Sequence, residues 1–485
     1  MSRPGCAVPF FISLRRAAPL VVLLLGVAAC AAQPPAPGAG PLAAATAFPT
    51  APAALVQPSA TAAATAPPAP TTPPTPIPGV LYVDANQRLG AISRLVYGTN
   101  YGPWMGAFLP DVQRQVDTAG FTFLRFPGGE WGDQQDLNLQ QIDDFIAFCH
   151  RLKAEPSISV RLRGGTPAHA AELVRYTNAT KKYAVRYWSI GNEPSLYSEY
   201  DIPRYNKEWR AIAQAMRAVD PTIQLVGPDI NQFDSQGGPR DPTGRFTMGE
   251  FMADFLRTNG DMVDIVSIHR YPFPLKPNDP DPTIAQLRDN SREWDTIIPA
   301  LRSLIRETTG GDLPVAVTEV NSNWSSTFGG DATPDSLYGA LWWGDVLGRL
   351  IRQRVEIVAQ FALYAPESAG WGLLRAYSTR PAYYIYQLYQ RFGDQLIYAS
   401  SDDPLVSIVA ARRVDGALTL VLVNLGPEAR EKPLRFAHFT PASAAATWLF
   451  DKQHKAEQIA PIPLGTPASL RLPPESITLL IVPAK

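Results

Sequence analysis

The chain has 485 residues, of which 43 are Lys or Arg and 44 are Asp or Glu, so its net charge is −1. Proteins that bind phosphate backbones concentrate positive charge, and this balance therefore argues against a nucleic-acid partner. The three cysteines are too few for a disulfide framework, and the five histidines show no metal-ligand spacing. We expect no metal and no cofactor, and nothing in the sequence specifies an oligomeric state.

The first 29 residues have the layout of a secretory signal. Arg15 and Arg16 precede the apolar run Ala17–Ala29, which is too short to span a membrane comfortably. The tetrapeptide Val27–Cys30 resembles a bacterial lipobox, in which cleavage occurs before a cysteine that then carries lipid. The resemblance implies an exported protein that is lipid-anchored through Cys30 to the outer face of a bacterial cell membrane. The alternative is an ordinary signal peptide with an incidental cysteine.

Residues 30–78 differ in composition from the rest of the chain. From Ala31 to Pro78 there is no charged residue, and 14 of the 48 positions are proline. Such a tract buries too little apolar surface to offset the entropy lost on ordering it. We expect an extended linker that holds the folded part away from the membrane.

After Gly79 the sequence changes to short β-rich runs separated by helical stretches, which is typical of βα units around a parallel sheet. Eight such runs follow one another: Arg94–Asn100, Phe121–Phe126, Ser157–Leu162, Tyr187–Asn192, Gln224–Pro228, Ile265–Tyr271, Val315–Val320 and Val358–Tyr364. Their number predicts a closed (β/α)8 TIM barrel over residues 79–395. The rival architecture, an open doubly wound sheet, needs a Gly-rich nucleotide loop after its first strand, and the sequence has none there.

The helical pattern stops at about Leu396. Leu405–Arg413 and Ala417–Asn424 flank a hairpin turn signal at Val414–Gly416, and further short strands follow. This pattern predicts a C-terminal antiparallel β-sandwich over residues 396–485. Residues 80–84 are a candidate strand to join it, which would make that domain discontinuous in sequence.

Two glutamates close apolar strands of the predicted barrel, where TIM barrels carry their chemistry. Glu193 follows the fourth run and Glu319 ends the seventh. Burying a carboxylate at the end of an apolar strand costs free energy unless the group is paired or has a functional role. For either glutamate alone, a structural salt bridge at the rim of the barrel is an equal alternative. The fourth and seventh strands face each other across a barrel mouth. The pair therefore suits retaining glycoside hydrolysis, which needs one protonated and one ionised carboxyl about 5–5.5 Å apart.

The ordered set of motifs resembles the clan A retaining glycoside hydrolases. Asn192-Glu193-Pro194 on the fourth strand and Glu319 on the seventh match the clan's pair of glutamates. Leu124–Gly129 is similar to the strand-two motif of the family 51 arabinofuranosidases, which have relatives in families 39, 44 and 79. The resemblance covers the whole predicted barrel.

The resemblance also implies a role for each matching residue. It makes Glu193 the acid/base, Glu319 the nucleophile and Asn192 a partner of the sugar 2-hydroxyl. His269 and Tyr271 end the sixth strand, where the clan places a His and a Tyr near the nucleophile. For His269 the alternative is a core histidine with its hydrogen bonds satisfied.

Further residues are expected around the predicted site. Arg125 ends the second strand, where its charge could hold the nucleophile ionised; a buried structural ion pair is the alternative. Asn100 and Asp133 are candidate sugar ligands, at even odds with a role in turns. Trp324 and Trp371 follow strands seven and eight, where an aromatic ring can stack on a sugar face.

The leading hypothesis is a retaining glycoside hydrolase that cleaves oligo- or polysaccharides by double displacement through a covalent glycosyl-enzyme. The motif at Leu124–Gly129 favours an α-L-arabinofuranoside as the substrate. The alternative is a non-catalytic glycan-binding surface lipoprotein on the same fold. A serine hydrolase is disfavoured because the sequence has no Gly-x-Ser-x-Gly elbow.

The lipid anchor can be tested at Cys30. Expressed from its full sequence in a bacterium that processes lipoproteins, the wild-type chain should incorporate labelled palmitate and sediment with membranes, because the lipid is attached through that cysteine. Cys30→Ser should abolish both properties, whereas Cys6→Ser, a matched change within the signal segment, should leave them intact. Palmitate label that persists in Cys30→Ser would contradict the prediction.

Overall fold

The computed structural model describes residues 76–105, 110–276, 278–376, 378–465 and 468–485. The predicted signal peptide, Cys30 and nearly all of the predicted linker lie outside these residues. Among the helices of the described ranges, we find none that combines the length and the apolar character needed to cross a membrane.

The chain begins with β1 (Leu81–Ala91), which belongs to a second sheet, and then forms a closed barrel of eight parallel strands. The barrel strands are β2 (Gly98–Asn100), β3 (Phe123–Phe126), β4 (Glu155–Val160), β5 (Tyr187–Ile190), β6 (Gln224–Asn231), β7 (Ile265–Arg270), β8 (Val315–Val320) and β9 (Ile357–Gln360). Each strand pairs with the next in chain order, and β9 closes the ring by pairing with β2. This confirms the predicted TIM barrel.

Helices connect the barrel strands, and side-chain caps fix where several of them begin. They are α1 (Pro110–Thr118), α2 (Trp131–Gln134), α3 (Leu139–Leu152), α4 (Pro167–Val174), α5 (Ile202–Val219), α6 (Met248–Asn259), α7 (Ile284–Asn290), α8 (Trp294–Thr309), α9 (Leu337–Arg352) and α10 (Tyr383–Tyr389). At α4, Thr166 accepts a hydrogen bond from the His169 amide and Pro167 occupies the first turn. At α3, Asn138 and Gln141 form a reciprocal capping box.

Five predicted barrel strands are shorter in the structure, and the first and the eighth lose the most residues. Arg94–Val96 forms a 3₁₀ turn rather than the start of the first strand, because the Ser93 hydroxyl accepts a hydrogen bond from the Leu95 amide. The eighth strand stops at Gln360. Phe361 lies just beyond this strand, and its amide donates to the Val320 carbonyl of β8 at 3.0 Å.

The second sheet contains β1 and the C-terminal strands, in the order β17-β16-β19-β14-β13-β12-β1-β15-β18. Its C-terminal members are β12 (Gln395–Ser400), β13 (Val406–Arg412), β14 (Leu418–Asn424), β15 (Arg430–Ala437), β16 (Ala444–Phe450), β17 (Lys455–Pro463), β18 (Ala468–Leu472) and β19 (Ser476–Val482). A separate two-stranded sheet pairs β10 (Leu374–Arg375) with β11 (Ser378–Thr379). The large sheet is antiparallel except where β1 and β15 run parallel.

The large sheet folds over itself around one apolar core. Leu434 of β15 and Leu472 of β18, from one end of the strand order, share this core with Leu420 of β14 and Leu480 of β19. This packing gives the predicted C-terminal β-sandwich. The β1 strand is longer than the predicted stretch 80–84, and the barrel itself begins only at Gly98.

Helix α9 joins the sandwich to the barrel. It packs against β13, β14 and β19 on one side and α8 on another, and its central turns are buried all round. Trp342 and Trp343 are buried within it, and Asp345 pairs with Arg349 at 2.8 Å. Barrel and sandwich residues consequently belong to one continuous core.

Candidate active site

The carboxyl ends of the barrel strands carry a cluster of charged side chains. Arg125 lies on β3, Asp229 on β6, His269 on β7 and Glu319 on β8, while Glu193 follows β5. The first four residues are at most 4% exposed, whereas the Glu193 side chain is 17% exposed. The cluster is therefore reached from solvent at Glu193.

The two predicted glutamates meet in this cluster. One ligand atom each of Glu193, His269 and Glu319 lies within 4.8 Å of the other two, so the two carboxylates approach to that distance or less. His269 Nδ1 is 3.0 Å from Glu193 Oε1 and 3.8 Å from Glu319 Oε2. A proton donor and a carboxylate nucleophile can thus act on the same bond.

Glu319 is surrounded by hydrogen-bond donors. Its Oε1 accepts from Arg125 Nη1 at 2.7 Å and from the Gly129 amide at 3.0 Å, and its Oε2 accepts from the Tyr271 hydroxyl at 2.6 Å. Burial and the nearby Glu319 charge raise the pKa of Tyr271 well above its ordinary value, so its hydroxyl stays a donor. Three converging donors, one of them a cation, stabilise a carboxylate at this position.

Glu193 has a different environment. Burial raises the pKa of Glu193, and the negative charge of Glu319 adds to this effect, although the His269 contact opposes it. Its backbone lies in the left-handed region at φ 46°, and its amide donates to the Asp229 carbonyl at 3.1 Å. The fold therefore favours a protonated carboxyl beside an ionised one.

Arg125 connects most of the cluster. Besides Glu319, its guanidinium donates to Asn100 Oδ1 and Asn192 Oδ1, each at 2.9 Å, and to Asp229 Oδ2 at 3.1 Å. Burial disfavours the charged form, but Asp229 and Glu319 outweigh burial and raise the pKa of Arg125. The guanidinium thus stays charged and orients Asn192 next to Glu193.

Two residues that the sequence suggested as sugar ligands, Asn100 and Asp133, are buried among the ends of the barrel strands. Asn100 is buried and donates from Nδ2 to the Thr318 carbonyl at 2.9 Å while its Oδ1 accepts from Arg125. Asp133 is buried, and its two oxygens accept from the amides of Leu162 and Asn192, each at 2.8 Å. Neither position supports the sugar contact suggested by the sequence, because these side chains are used to hold the strand ends in place.

Arg125 and His269 are also fully buried, and Arg125 lies against Glu319 as the sequence suggested. Both reach the glutamates rather than solvent, since their charged groups contact Glu319 and Glu193 respectively. They can act on a substrate only through the side chains that they contact, which for Arg125 include Asn192.

Aromatic residues line the rim beside Glu319. Tyr271 and Phe361 have ring centroids 6.3 Å apart, and Phe361 packs on Trp371 at 5.2 Å. Trp324 is 44% exposed, with its indole nitrogen donating to the Pro274 carbonyl at 2.8 Å. Phe361 was missed because the sequence pattern placed it inside a strand.

Asp229 is the charged residue that the sequence analysis missed. Its Oδ1 accepts from Ser267 Oγ and Thr318 Oγ1, each at 2.5 Å. Burial would raise its pKa, but Arg125 and His269 outweigh burial and hold the pKa of Asp229 well below its ordinary value. The signal was present, since Asp229 also follows an apolar strand, but the predicted strand ended one residue earlier.

Glu193, His269 and Glu319 also present ligand atoms close enough to surround one cation. In the structure these atoms contact one another, and both Glu319 oxygens accept hydrogen bonds. The Arg125 guanidinium 2.7 Å from Glu319 would repel a metal ion. We therefore assign no metal to this cluster.

The raised pKa of Glu193 predicts a stability cost. Because its folded pKa exceeds the ordinary 4.5, ionised Glu193 weakens the fold as pH rises above 4.5, and the loss is complete above the folded pKa. Glu193→Gln mimics the protonated form. Its melting temperature should exceed that of the wild type at about pH 8, and the difference should vanish toward pH 4.5.

Glu172→Gln, an exposed change on α4, is the matched control and should show no such pH dependence. Thermal unfolding of both variants across this pH range measures the effect. A Glu193→Gln variant that is less stable than the wild type at high pH would refute the assignment.

No protein-family model matches the sequence. The chain is 25% identical over 271 residues to a β-xylosidase of Geobacillus stearothermophilus, a match covering 51% of this chain and 49% of that protein. It is 26% identical over 214 residues to an intracellular exo-α-(1→5)-L-arabinofuranosidase of Streptomyces lividans, covering 35% and 30% respectively. The matches thus span half or less of these relatives.

Among solved structures, the chain is similar to the family 51 α-L-arabinofuranosidase of Thermotoga petrophila. The TM-score is 0.65 at 18% identity, covering 83% of this chain and all of that one. At this identity the likeness shows the fold. Sequence and fold together identify the chain as one that resembles the clan A glycoside hydrolases of family 51 and their relatives.

Proposed function

We propose that the chain is a retaining glycoside hydrolase that cleaves O-glycosidic bonds by double displacement. The observation that carries this proposal is the approach of the Glu193 and Glu319 carboxylates to within 4.8 Å. Retaining glycosidases hold their carboxyls about 5–5.5 Å apart, whereas inverting enzymes hold them about 6.5–9.5 Å apart to admit a water.

In the first step, Glu193 donates its proton to the glycosidic oxygen while Glu319 bonds to the anomeric carbon. The bond to the leaving group breaks, and its electron pair stays on the protonated oxygen. The raised pKa of Glu193 suits it to begin as the acid. The Arg125 and Tyr271 donors suit Glu319 to begin as a carboxylate.

In the second step, Glu193 takes a proton from water, whose oxygen attacks the anomeric carbon and releases Glu319 as a carboxylate. Asn192 is proposed to bind the sugar 2-hydroxyl. Its Oδ1 already accepts from Arg125, so its Nδ2 group is the donor left for the sugar. A hydrogen bond there strengthens as positive charge develops on the sugar ring.

The substrate we propose is a carbohydrate, with an α-L-arabinofuranoside favoured over a β-xyloside. The support is the motif Leu124–Gly129 together with the similarity to the Streptomyces lividans arabinofuranosidase, while the similarity to a β-xylosidase keeps the β-xyloside as the second candidate. Trp371, packed on Phe361, and the exposed Trp324 are proposed to stack on sugar faces. The glycan-binding alternative has no observation in its favour and remains an outcome of the test.

We further propose that the enzyme acts at the cell surface, tethered by lipid on Cys30 and the linker of residues 30–78. The support is the signal layout and the uncharged, proline-rich composition of this segment.

The proposed roles predict different losses of hydrolytic activity in two variants assayed on nitrophenyl glycosides. Glu319→Gln should lose turnover yet retain sugar binding by calorimetry, because the nucleophile is gone but the pocket is intact. Glu193→Gln should lower kcat/KM on poor leaving groups by about 10²–10⁴-fold and much less on dinitrophenyl glycosides, which depart without acid assistance.

Glu172→Gln serves again as the control and should match the wild type. Product NMR at early times should show retention of the anomeric configuration. A wild type that binds sugars but cleaves no member of a broad glycoside panel would favour the binding protein instead, and inversion would exclude the double displacement.

A further inference from the structure

We propose that Asp229 is a positioning residue that fixes the tautomer of His269, so that His269 Nδ1 shares one proton with Glu193 throughout the reaction. This inference rests on the proposed function, because it gives Glu193 the role of acid and base. It assigns a purpose to a buried carboxylate that touches neither solvent nor the reacting bond.

Asp229 is held as a carboxylate by contacts from three barrel strands. Arg125 on β3 donates to Oδ2 at 3.1 Å, and Ser267 on β7 and Thr318 on β8 donate to Oδ1 at 2.5 Å each. The Asp229 amide donates in turn to Ser267 Oγ at 3.0 Å. A buried acid with only donors around it carries a permanent negative charge.

His269 lies between this charge and the acid/base. Its Nδ1 is 3.0 Å from Glu193 Oε1, and its Nε2 is 3.7 Å from Asp229 Oδ1. Nε2 is buried and has no hydrogen-bond partner within the described residues. A nitrogen lone pair facing a carboxylate would be repelled, so Nε2 must carry a proton. Nδ1 is then the nitrogen that exchanges a proton with Glu193.

The proton count balances over the cycle. At rest, the His269–Glu193 pair holds two protons besides the one on Nε2: one is shared between Nδ1 and Glu193 Oε1, and the other is the acidic proton on Glu193 Oε2. The leaving group takes one proton from the pair in the first step, and water returns one in the second. The pair ends as it began, and Asp229 stays ionised.

The charges around His269 agree with this arrangement. Burial would lower the pKa of His269, but Glu319, Asp229 and Glu193 outweigh burial and the opposing Arg125, and raise the pKa to about 9. His269 therefore remains an imidazolium beside Glu193 after that residue has given its acidic proton to the leaving group.

Asp229 also fixes the backbone of the acid/base. Its carbonyl accepts from the Glu193 amide at 3.1 Å, and the two residues lie in the left-handed region at φ 53° and 46°. This region is unfavourable for residues with a side chain and persists only where the surroundings enforce it. One residue thus holds both the backbone of Glu193 and the imidazole that it contacts.

The test is NMR of protein labelled with ¹⁵N-histidine, compared between wild type and Asp229→Asn. The His269 signals are assigned by their loss in His269→Gln. Wild-type His269 should keep Nε2 protonated at every pH where the protein is folded. In Asp229→Asn the neutral amide can donate to Nε2, so the Nδ1–H tautomer should appear, as in Ser-His-Asp triads that lose their carboxylate.

Steady-state kinetics of Asp229→Asn provide the second test. Asp229→Asn should lower kcat/KM on poor leaving groups by about 10²-fold or more but on dinitrophenyl glycosides by less than about tenfold, because only the former need acid assistance. Asp345→Asn, a buried acid paired with Arg349 in α9, is the matched control and should change neither the tautomer nor the leaving-group dependence.

Ser267→Ala keeps the Asp229 charge while removing one hydrogen bond, and it should retain the wild-type tautomer. This variant and the wild type decide the proposal if Asp229→Asn does not fold. Neutral wild-type His269 protonated on Nδ1 would overturn it, and so would an equal loss on both substrate classes in Asp229→Asn. A wild type without glycosidase activity would refute the proposed function, whereas the tautomer measurement would still test the role of Asp229.

Discussion

The guanidinium of Arg125 is buried where the barrel strands end, and the site depends on the groups that neutralise it there. Removing one partner from such a buried ion pair costs about 3–5 kcal/mol, because the remaining charge has no water to solvate it. Arg125 contacts Glu319, Asp229, Asn100 and Asn192, which come from four other segments of the barrel. Arg125 therefore couples the position of Glu319, the proposed nucleophile, to that of Asn192, which precedes Glu193.

The two glutamates differ because different forces act on them. Glu319 receives three hydrogen bonds, one from a cation, whereas Glu193 is chiefly desolvated and faces a second negative charge. Two carboxyls in such different surroundings can serve as a proton donor and a nucleophile at one pH.

The correct predictions came from sequence patterns that burial imposes on a helix or a strand. Apolar strand runs that end in a polar residue located the barrel and both glutamates, because a strand's core face and its carboxyl end are visible in the sequence. A Thr-Pro pair located the start of α4 for an equally local reason.

The predictions that failed depend on contacts between distant segments. Sequence alone could not show that Asp133 would accept the Asn192 amide, or that Asn100 would bind Arg125 rather than sugar. Asp229 was missed because Gly-Pro reads as a strand end, although β6 continues to Asn231. The sequence did suggest that residues 80–84 join the sandwich, but no local signal encodes the parallel pairing of β1 with β15, which joins residues more than 300 apart.

The most direct measurement of the central claim is covalent trapping. A 2-deoxy-2-fluoro arabinofuranosyl or xylosyl donor with a dinitrophenyl leaving group forms a glycosyl-enzyme quickly and hydrolyses slowly, since fluorine destabilises both transition states. Mass spectrometry should then find one added glycosyl unit, located by peptide mapping on Glu319. A label on any other residue, or active enzyme that accumulates no label and forms products of inverted configuration, would contradict the account.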